Sequence, residues 1–230
     1  MGITLYCREA GEGEPLVLLH GNGEDGGYFE KQMEYFRKKY RVIAVDTRGH
    51  GRSPRGNRPF TLEQFADDLK NFLDQRGLKK ICLLGFSDGG NIALIFALKY
   101  PGYVRKLVLN GANLNPFGMK MSVYIPIGAA YGTVWLRRRV CRKQDSSLKK
   151  KEELLALMIR QPHIPAAALK KLSMPVLVIA GTRDMIREAH TRQIAAGLPE
   201  GQLCLLKGDH FIAAKNSKAF NRAVGVFLEG

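Results

Sequence analysis

One serine in this chain sits where an ordinary alcohol can be made reactive. Gly85-Phe86-Ser87-Asp88-Gly89 fits the pattern G-x-S-x-G, and its flanks are the ones the pattern requires. Ile81-Cys82-Leu83-Leu84 before it reads as a buried strand, and Gly90-Asn91-Ile92-Ala93-Leu94 after it opens a helix. A sharp strand-to-helix turn forces the serine into a strained backbone state. The residues two positions to either side must be tiny for strand and helix to approach. Such a turn lifts the hydroxyl clear of the sheet and aims the next backbone N–H at the same point. Five residues with two glycines and a serine recur by chance; between an aliphatic strand and a helix they are specific.

A serine needs a base, and the base needs an orienting acid. His210, in Lys207-Gly208-Asp209-His210-Phe211, and Asp184, in Gly181-Thr182-Arg183-Asp184, each follow an aliphatic run. Both therefore belong to loops at carboxyl ends of strands, where open α/β sheets place their ligands. The chain order Ser87, Asp184, His210 suits that scaffold. Competitors fit less well. Asp209 adjoins His210, Asp46 precedes the serine, and the run 106–110 is followed by Asn110 and Asn113 but no carboxylate. His50 in a glycine-rich loop, His163 beside prolines and His190 on an amphipathic segment read as packing or surface residues.

Near the amino terminus, Leu18-Leu19-His20-Gly21-Asn22-Gly23 ends a strand in a glycine-flanked turn. The backbone N–H of Asn22 is placed to join that of Asp88 in holding the oxyanion of a tetrahedral intermediate, and His20 reads as ordering the loop. Asp88 has two readings: a carboxylate for a substrate ammonium, or a negative charge favoured at a helix start. A rival motif overlaps this loop. Gly21-Asn22-Gly23-Glu24-Asp25-Gly26 is also G-x-G-x-x-G, with Asp46 further on, the form of a dinucleotide fingerprint. Against it, His20 opens the loop, Gly27 extends it, and Ser87, Asp184 and His210 would match by coincidence. No cofactor is expected. No metal is expected either, since the four cysteines show no C-x-x-C and no histidine at zinc spacing. They read as free thiols, with Cys82 and Cys204 buried.

The elements that must position these residues alternate. Strand-like runs at 3–8, 16–20, 42–46, 81–86, 106–110, 176–180 and 202–206 interleave with helical segments at 29–39, 62–76, 90–100, 187–196 and 217–228. That is the sequence form of a mostly parallel sheet of about seven strands with helices on both faces. Thr61 and Gln64 have the form of a capping box. From about residue 114 to 171 the rhythm breaks. This stretch carries an uncharged run, 121–136, interrupted by Pro126, Gly128 and Gly132, together with the only tryptophan, Trp135, and a helical piece at 151–160. It reads as an insertion.

With 230 residues the chain can bury a full core without disulfide or metal staples. The uncharged run is too short and too interrupted to span a bilayer. The first residues carry neither the basic start and apolar block of a signal peptide nor a myristoylation pattern, so the expected compartment is the cytoplasm. The net charge is +15, and residues 137–151 supply +7 of it. A basic segment of this kind suits nucleic acid or an anionic membrane. The competing class is thus a non-catalytic binding protein gripping such a partner through residues 137–151, aided by Tyr124, Ile125, Tyr131 and Trp135. In the plainer reading the apolar run lines the underside of the insertion and the charges face water.

Together, His20-Gly21-Asn22-Gly23, the segment Asp46-Thr47-Arg48-Gly49-His50-Gly51-Arg52-Ser53, Gly85 to Gly90, Gly181 to Asp184 and Gly208 to Phe211 resemble the α/β-hydrolase family. The resemblance runs through nearly the whole chain apart from the insertion. The GFSDGG stretch, Lys99-Tyr100-Pro101 and Asn110-Gly111-Ala112-Asn113-Leu114 are similar, more specifically, to the valacyclovir-hydrolase (biphenyl-hydrolase-like) branch. The resemblance implies the α/β-hydrolase fold, with a core at 1–113 and 172–230 and residues 114–171 as an inserted helical lid. It implies Ser87 as nucleophile, His210 as base and Asp184 as acid, and makes 46–53 structural, with Arg48 and Ser53 bracing the loop. Two departures stand out: the amino-terminal stretch is short, so the usual first edge strand is expected to be missing, and the Arg/Lys-rich insertion has no detailed match. Serine at the nucleophile position argues against dehalogenase and epoxide-hydrolase chemistry. The reaction expected is acyl transfer to water on a small carboxylic ester, with Asp88 and Trp135 as substrate contacts. Thioester, amide, carbon–carbon cleavage and metal-free perhydrolysis stay open on one scaffold. Oligomeric state is not legible.

Overall fold

The computed structural model describes residues 3–140 and 145–230. The elements in chain order are β1 (Cys7–Ala10), β2 (Glu14–Leu19), α1 (Glu30–Phe36), β3 (Tyr40–Val45), α2 (Leu62–Gln75), β4 (Ile81–Phe86), α3 (Asp88–Lys99), β5 (Val104–Asn110), α4 (Met121–Val140), α5 (Ser146–Arg160), β6 (Val176–Gly181), α6 (Glu188–Gly197), β7 (Gly201–Leu206), α7 (Ile212–Lys215) and α8 (Ser217–Glu229). All seven strand-like runs appear in one sheet of order β1-β3-β2-β4-β5-β6-β7. Every pairing is parallel except β1 with β3.

The strands are aliphatic without interruption because both faces are covered. Val17, Leu19, Leu83, Leu107, Leu109 and Val178 point to one side, where α2, α3 and α6 pack. Their neighbours Leu16, Leu18, Leu84, Val108 and Ile179 point to the other, against Phe29, Phe36 of α1 and Phe220, Val224 and Phe227 of α8. The period-two alternation thus builds two cores from one sheet. Lys106, buried on β5, donates from Nζ to the carbonyls of Phe227 and Leu228, 3.0 Å each, and so satisfies the orphan acceptors at the end of α8.

Three local readings change. β1 runs through Cys7–Ala10 rather than residues 3–8: the edge ladder pairs Cys7 with Val45, and the exposed charge of Glu9 is met by Arg41 and Arg76. The capping box at α2 is half formed. Thr61 Oγ1 accepts from Gln64 N, 3.2 Å, but the Gln64 amide turns to Asp68 Oδ1 instead of back to the cap. Cys204 is half-buried rather than buried, because β7 is an edge strand; Cys7, Cys82 and Cys204 are free, and Cys141 lies outside the described residues.

Between β5 and β6 the chain leaves the sheet for α4 and α5, which pack against each other. Pro126 and the glycines do not break the uncharged run: α4 continues from Met121 to Val140. Proline removes one backbone donor and crowds the preceding turn. Here Pro126 sits on an exposed face, where water can serve the freed carbonyl. The hairpin is tied to the sheet by Ile164 N to Leu114 O (2.8 Å), Lys120 N to Met185 O (2.9 Å) and Arg55 with Glu153. No helix among the described residues is long and apolar enough to cross a membrane.

Candidate active site

Ser87 falls between the last residue of β4 and the first of α3, with φ 54° and ψ −120°. This left-handed conformation costs a non-glycine residue on the order of 1–3 kcal/mol and persists only where its surroundings impose it. They do so through the glycines. A Cβ on Gly85 would run into the backbone of Gly89, and one on Gly89 into the carbonyl of Leu19. Strand, turn and helix are therefore closer than any side chain allows. Ser87 N donates to Asn110 O, 2.8 Å, which fixes the turn to β5.

The other two predicted residues meet at the same rim. His210 Nδ1 lies 2.7 Å from Asp184 Oδ1, and both side chains are buried. Asp184 Oδ1 also accepts from Ile186 N, 2.9 Å. A carboxylate on Nδ1 places the imidazole proton there and leaves Nε2 as the free lone pair. Nε2 is buried and has no hydrogen-bond partner among the described residues, so no hydrogen bond joins it to Ser87 Oγ. The imidazole packs 4.8 Å from the ring of Phe86, the residue before Ser87. It also rests on Gly111: a Cβ there, at φ 63°, would stand 2.7 Å from His210 Cε1. Gly181 plays the matching part at the end of β6, where a Cβ would strike the backbone carbonyls of Gly208 and Asp209.

Around the turn after β2, His20 Nε2 accepts from Thr47 N, 3.0 Å, so its proton is on Nδ1, directed to Gly21 O at 2.8 Å. Burial holds this imidazole below its usual pKa. Both nitrogens are occupied, and His20 orders the loop. His50 and His190 are buried as well; His190 Nε2 accepts from Leu114 N, 3.0 Å. Asp46 spends its two oxygens on Gly26 N and Arg52 N, 2.8 Å each. The acid that a dinucleotide fingerprint would set against a ribose here joins two loops. Arg48 makes a bidentate, fully buried pair with Asp68, at 2.6 Å for both bonds, and Ser53 Oγ donates to Asp46 O. The segment 46–53 is a brace.

Among the described residues, neither Asn22 N nor Asp88 N has an acceptor in the protein. The side chains beside them are joined instead. Asn22 Nδ2 donates to Asp88 Oδ2 (2.8 Å) and to Leu154 O of α5 (3.0 Å). Asn91 Nδ2 reaches Asp88 Oδ1 at 3.4 Å and Asn113 Oδ1 at 3.0 Å. Asp88 is thus a buried carboxylate with only neutral amide partners, and burial raises its pKa. Trp135 is not drawn into this cluster; the guanidinium of Arg139 stands 4.3 Å over its indole.

Sequence reasoning missed two wall residues. Glu24 Oε2 accepts from Gly21 N, 3.1 Å, and burial pushes its carboxyl up to about 7. Tyr28 stacks on Phe86 at 4.4 Å, with a buried hydroxyl that has no hydrogen-bond partner among the described residues. The legible signal was the acid inside the glycine-rich loop, three residues after Gly21.

A serine held left-handed at the mouth of a parallel sheet, with an imidazole–carboxylate pair delivered by the two strands beyond its neighbour, is the arrangement of an α/β hydrolase, and the chain belongs to the α/β-hydrolase family. The family model, described as alpha/beta hydrolase fold, matches residues 14–125. The chain is similar to serine hydrolase BPHL of Homo sapiens, 30% identical over 99% of this chain and 84% of that protein. It is also similar to the putative carbamate hydrolase RutD of Caulobacter sp. (strain K31), 28% identical over 96% and 92%. Among solved structures, a thermophilic esterase from Thermogutta terrifontis (malate bound) superposes with a TM-score of 0.81 at 25% identity, covering 99% of this chain and 93% of that one. The protein is a hydrolase, which sets aside the reading of the whole chain as a non-catalytic binding protein.

Proposed function

We propose that the protein is a serine hydrolase that cleaves a small carboxylic ester through an acyl-enzyme on Ser87. The 2.7 Å contact between His210 Nδ1 and Asp184 Oδ1 carries this reading, because it leaves Nε2 as a base at the rim where Ser87 is strained outward. In the first step Nε2 takes the proton of Ser87 Oγ as the oxygen attacks the substrate carbonyl. The N–H groups of Asn22 and Asp88 hold the oxyanion. The alkoxide leaves with the proton from His210, and the same imidazole then activates water to release the acid. The missing Ser87–His210 hydrogen bond suits a free enzyme, where such contacts are long until substrate arrives. A thioester, an amide or the carbamate named for one relative presents the same kind of carbonyl.

Residues 114–171 act in this reading as a lid, supported by the bond from Asn22 to Leu154. Asp88, buried among neutral amides beside the nucleophile, is the group that selects a substrate bearing an ammonium, as in amino-acid esters. The free thiols suit a reducing compartment, taken to be the cytoplasm.

A fluorophosphonate probe should label Ser87 alone, and Ser87→Ala should lower p-nitrophenyl acetate hydrolysis by about 10⁴-fold or more. Turnover surviving that change removes the assignment. Asp88→Asn should abolish preference for an amino-acid ester over its des-amino analogue. Equal wild-type rates on the two esters would remove the ammonium reading and leave the triad intact.

A further inference from the structure

We propose that the outer face of the α4–α5 hairpin docks on an anionic lipid surface. The inner face of α4 is spoken for: Tyr124, Ile127 and Tyr131 are half-buried and Val134 is buried. The opposite face is apolar too. Met121, Ile125, Ala129, Gly132, Leu136 and Val140 follow one another at helical spacing and are all exposed, Ile125 by 60% and Val140 by 72%. Phe117, just before the helix, is 60% exposed. Part of the apolar run lines the underside of the insertion, and the rest faces outward. A helix with two apolar faces hides one of them and shows the other.

Charge stands beside this stripe. Arg137 and Arg139 end α4, and Lys149 and Lys151 lie in the first turns of α5; all four are exposed, and no carboxylate pairs with them among the described residues. Arg138 is different: it pairs with Glu152 and so clasps the two helices together. The unpaired cations are thereby gathered at one end of the stripe. Trp135 with Arg139 stacked on its indole joins the two chemistries, an amphipathic ring and a cation at one level. Arg142 and Lys143 lie outside the described residues and are not needed.

The combination selects the partner. A nucleic-acid backbone would satisfy the cations and leave the aliphatic stripe in water. A second copy would cover the stripe but bring two cationic ends together on chains that each carry +15. An anionic membrane takes both, with the stripe at the acyl boundary and the cations among the headgroups. The helix would lie in the interface, since it is not apolar enough to cross. The inference does not depend on the triad.

The test is co-sedimentation of the full chain with phosphatidylcholine vesicles, with and without phosphatidylserine, at low and high salt. Trp135, the only tryptophan, reports its own environment. The expected result is binding to the phosphatidylserine vesicles with a blue shift of emission, reversed by salt. Ile125→Asp/Leu136→Asp and Arg137→Glu/Arg139→Glu should each weaken it by about ten-fold or more at unchanged melting temperature. If the apolar pair melts early, Ile125→Ser/Leu136→Ser asks the same question. Absent binding, equal binding to both vesicles, or binding undiminished by the apolar pair overturns the proposal. So does concentration-dependent self-association abolished by Leu136→Asp, which assigns the face to a second copy. Salt-sensitive capture of duplex DNA in preference to the vesicles overturns it as well.

Discussion

The carboxyl rim of the sheet and the α4–α5 hairpin above it are built on opposite principles. At the rim each loop is locked by buried polar contacts and by clearances only glycine permits: Asp46 on two backbone donors, Arg48 on Asp68, His210 against Gly111, Gly89 against Leu19. The hairpin is held by a few bonds at its base and by Leu157 of α5, which joins the core on the side of the sheet covered by α2, α3 and α6, and much of its surface is exposed hydrocarbon. The family model matches residues 14–125, which takes in the serine turn and stops within α4. In the function proposed above, a tightly braced reaction centre would sit under a more loosely tied cover, and catalysis and selectivity would be divided between them. Preorganised donors contribute most when they need not move, whereas a cover that meets varied substrates gains from being weakly tied.

The comparison breaks most visibly in the charges. Arg48→Met leaves the buried Asp68 carboxyl without its cationic partner, and should cost about 3–5 kcal/mol. Arg55→Met, which unties the hairpin from Glu153, removes a partly exposed pair and should cost under about 1 kcal/mol. Urea unfolding of the two variants reads both values. Equal losses would mean that the hairpin is as firmly built as the rim.

What could be read in advance follows the same division. The seven strands, and the placing of Ser87, Asp184 and His210 at strand ends, were legible because a buried parallel strand is aliphatic throughout and strand ends are where sites form. The side chain of Asn22 was not, because its partners Asp88 and Leu154 lie 66 and 132 residues away and no local pattern couples them. The part played by Gly111 was hidden for a similar reason: a Cβ there would meet His210, which only the fold brings to it. α4 was hidden by Pro126 and its glycines, which weaken the helical signal without forbidding a helix. Its two apolar faces also erase the amphipathic period on which such a reading depends.

A smaller effect sharpens the rim itself. Burial lifts the Glu24 carboxyl from 4.5 to about 7, so the folded state holds this proton more tightly than the unfolded chain. The stabilisation from that proton is complete below about pH 4.5 and disappears as pH rises through about 7. Glu24→Gln keeps the shape and removes the titration. The difference in unfolding free energy, wild type minus variant, should therefore fall across that window and level off above it. A difference that does not change with pH would place Glu24 in water rather than in the wall of the site.

The smallest effect is the most discriminating for the hairpin. Val134 and Leu136 are two residues apart on α4, yet Val134 is buried and Leu136 is 58% exposed. Val134→Ala loses about two buried methyl groups and should cost about 1–2 kcal/mol, provided the hairpin unfolds with the rest of the chain. Leu136→Ser removes a larger apolar group from a surface that already faces water, and its cost should lie within about 0.5 kcal/mol. The two values measured by urea denaturation give the orientation of α4 directly. If Leu136→Ser costs as much as Val134→Ala, the stripe is covered in solution by the chain itself. If neither substitution costs anything, the hairpin opens before the sheet does.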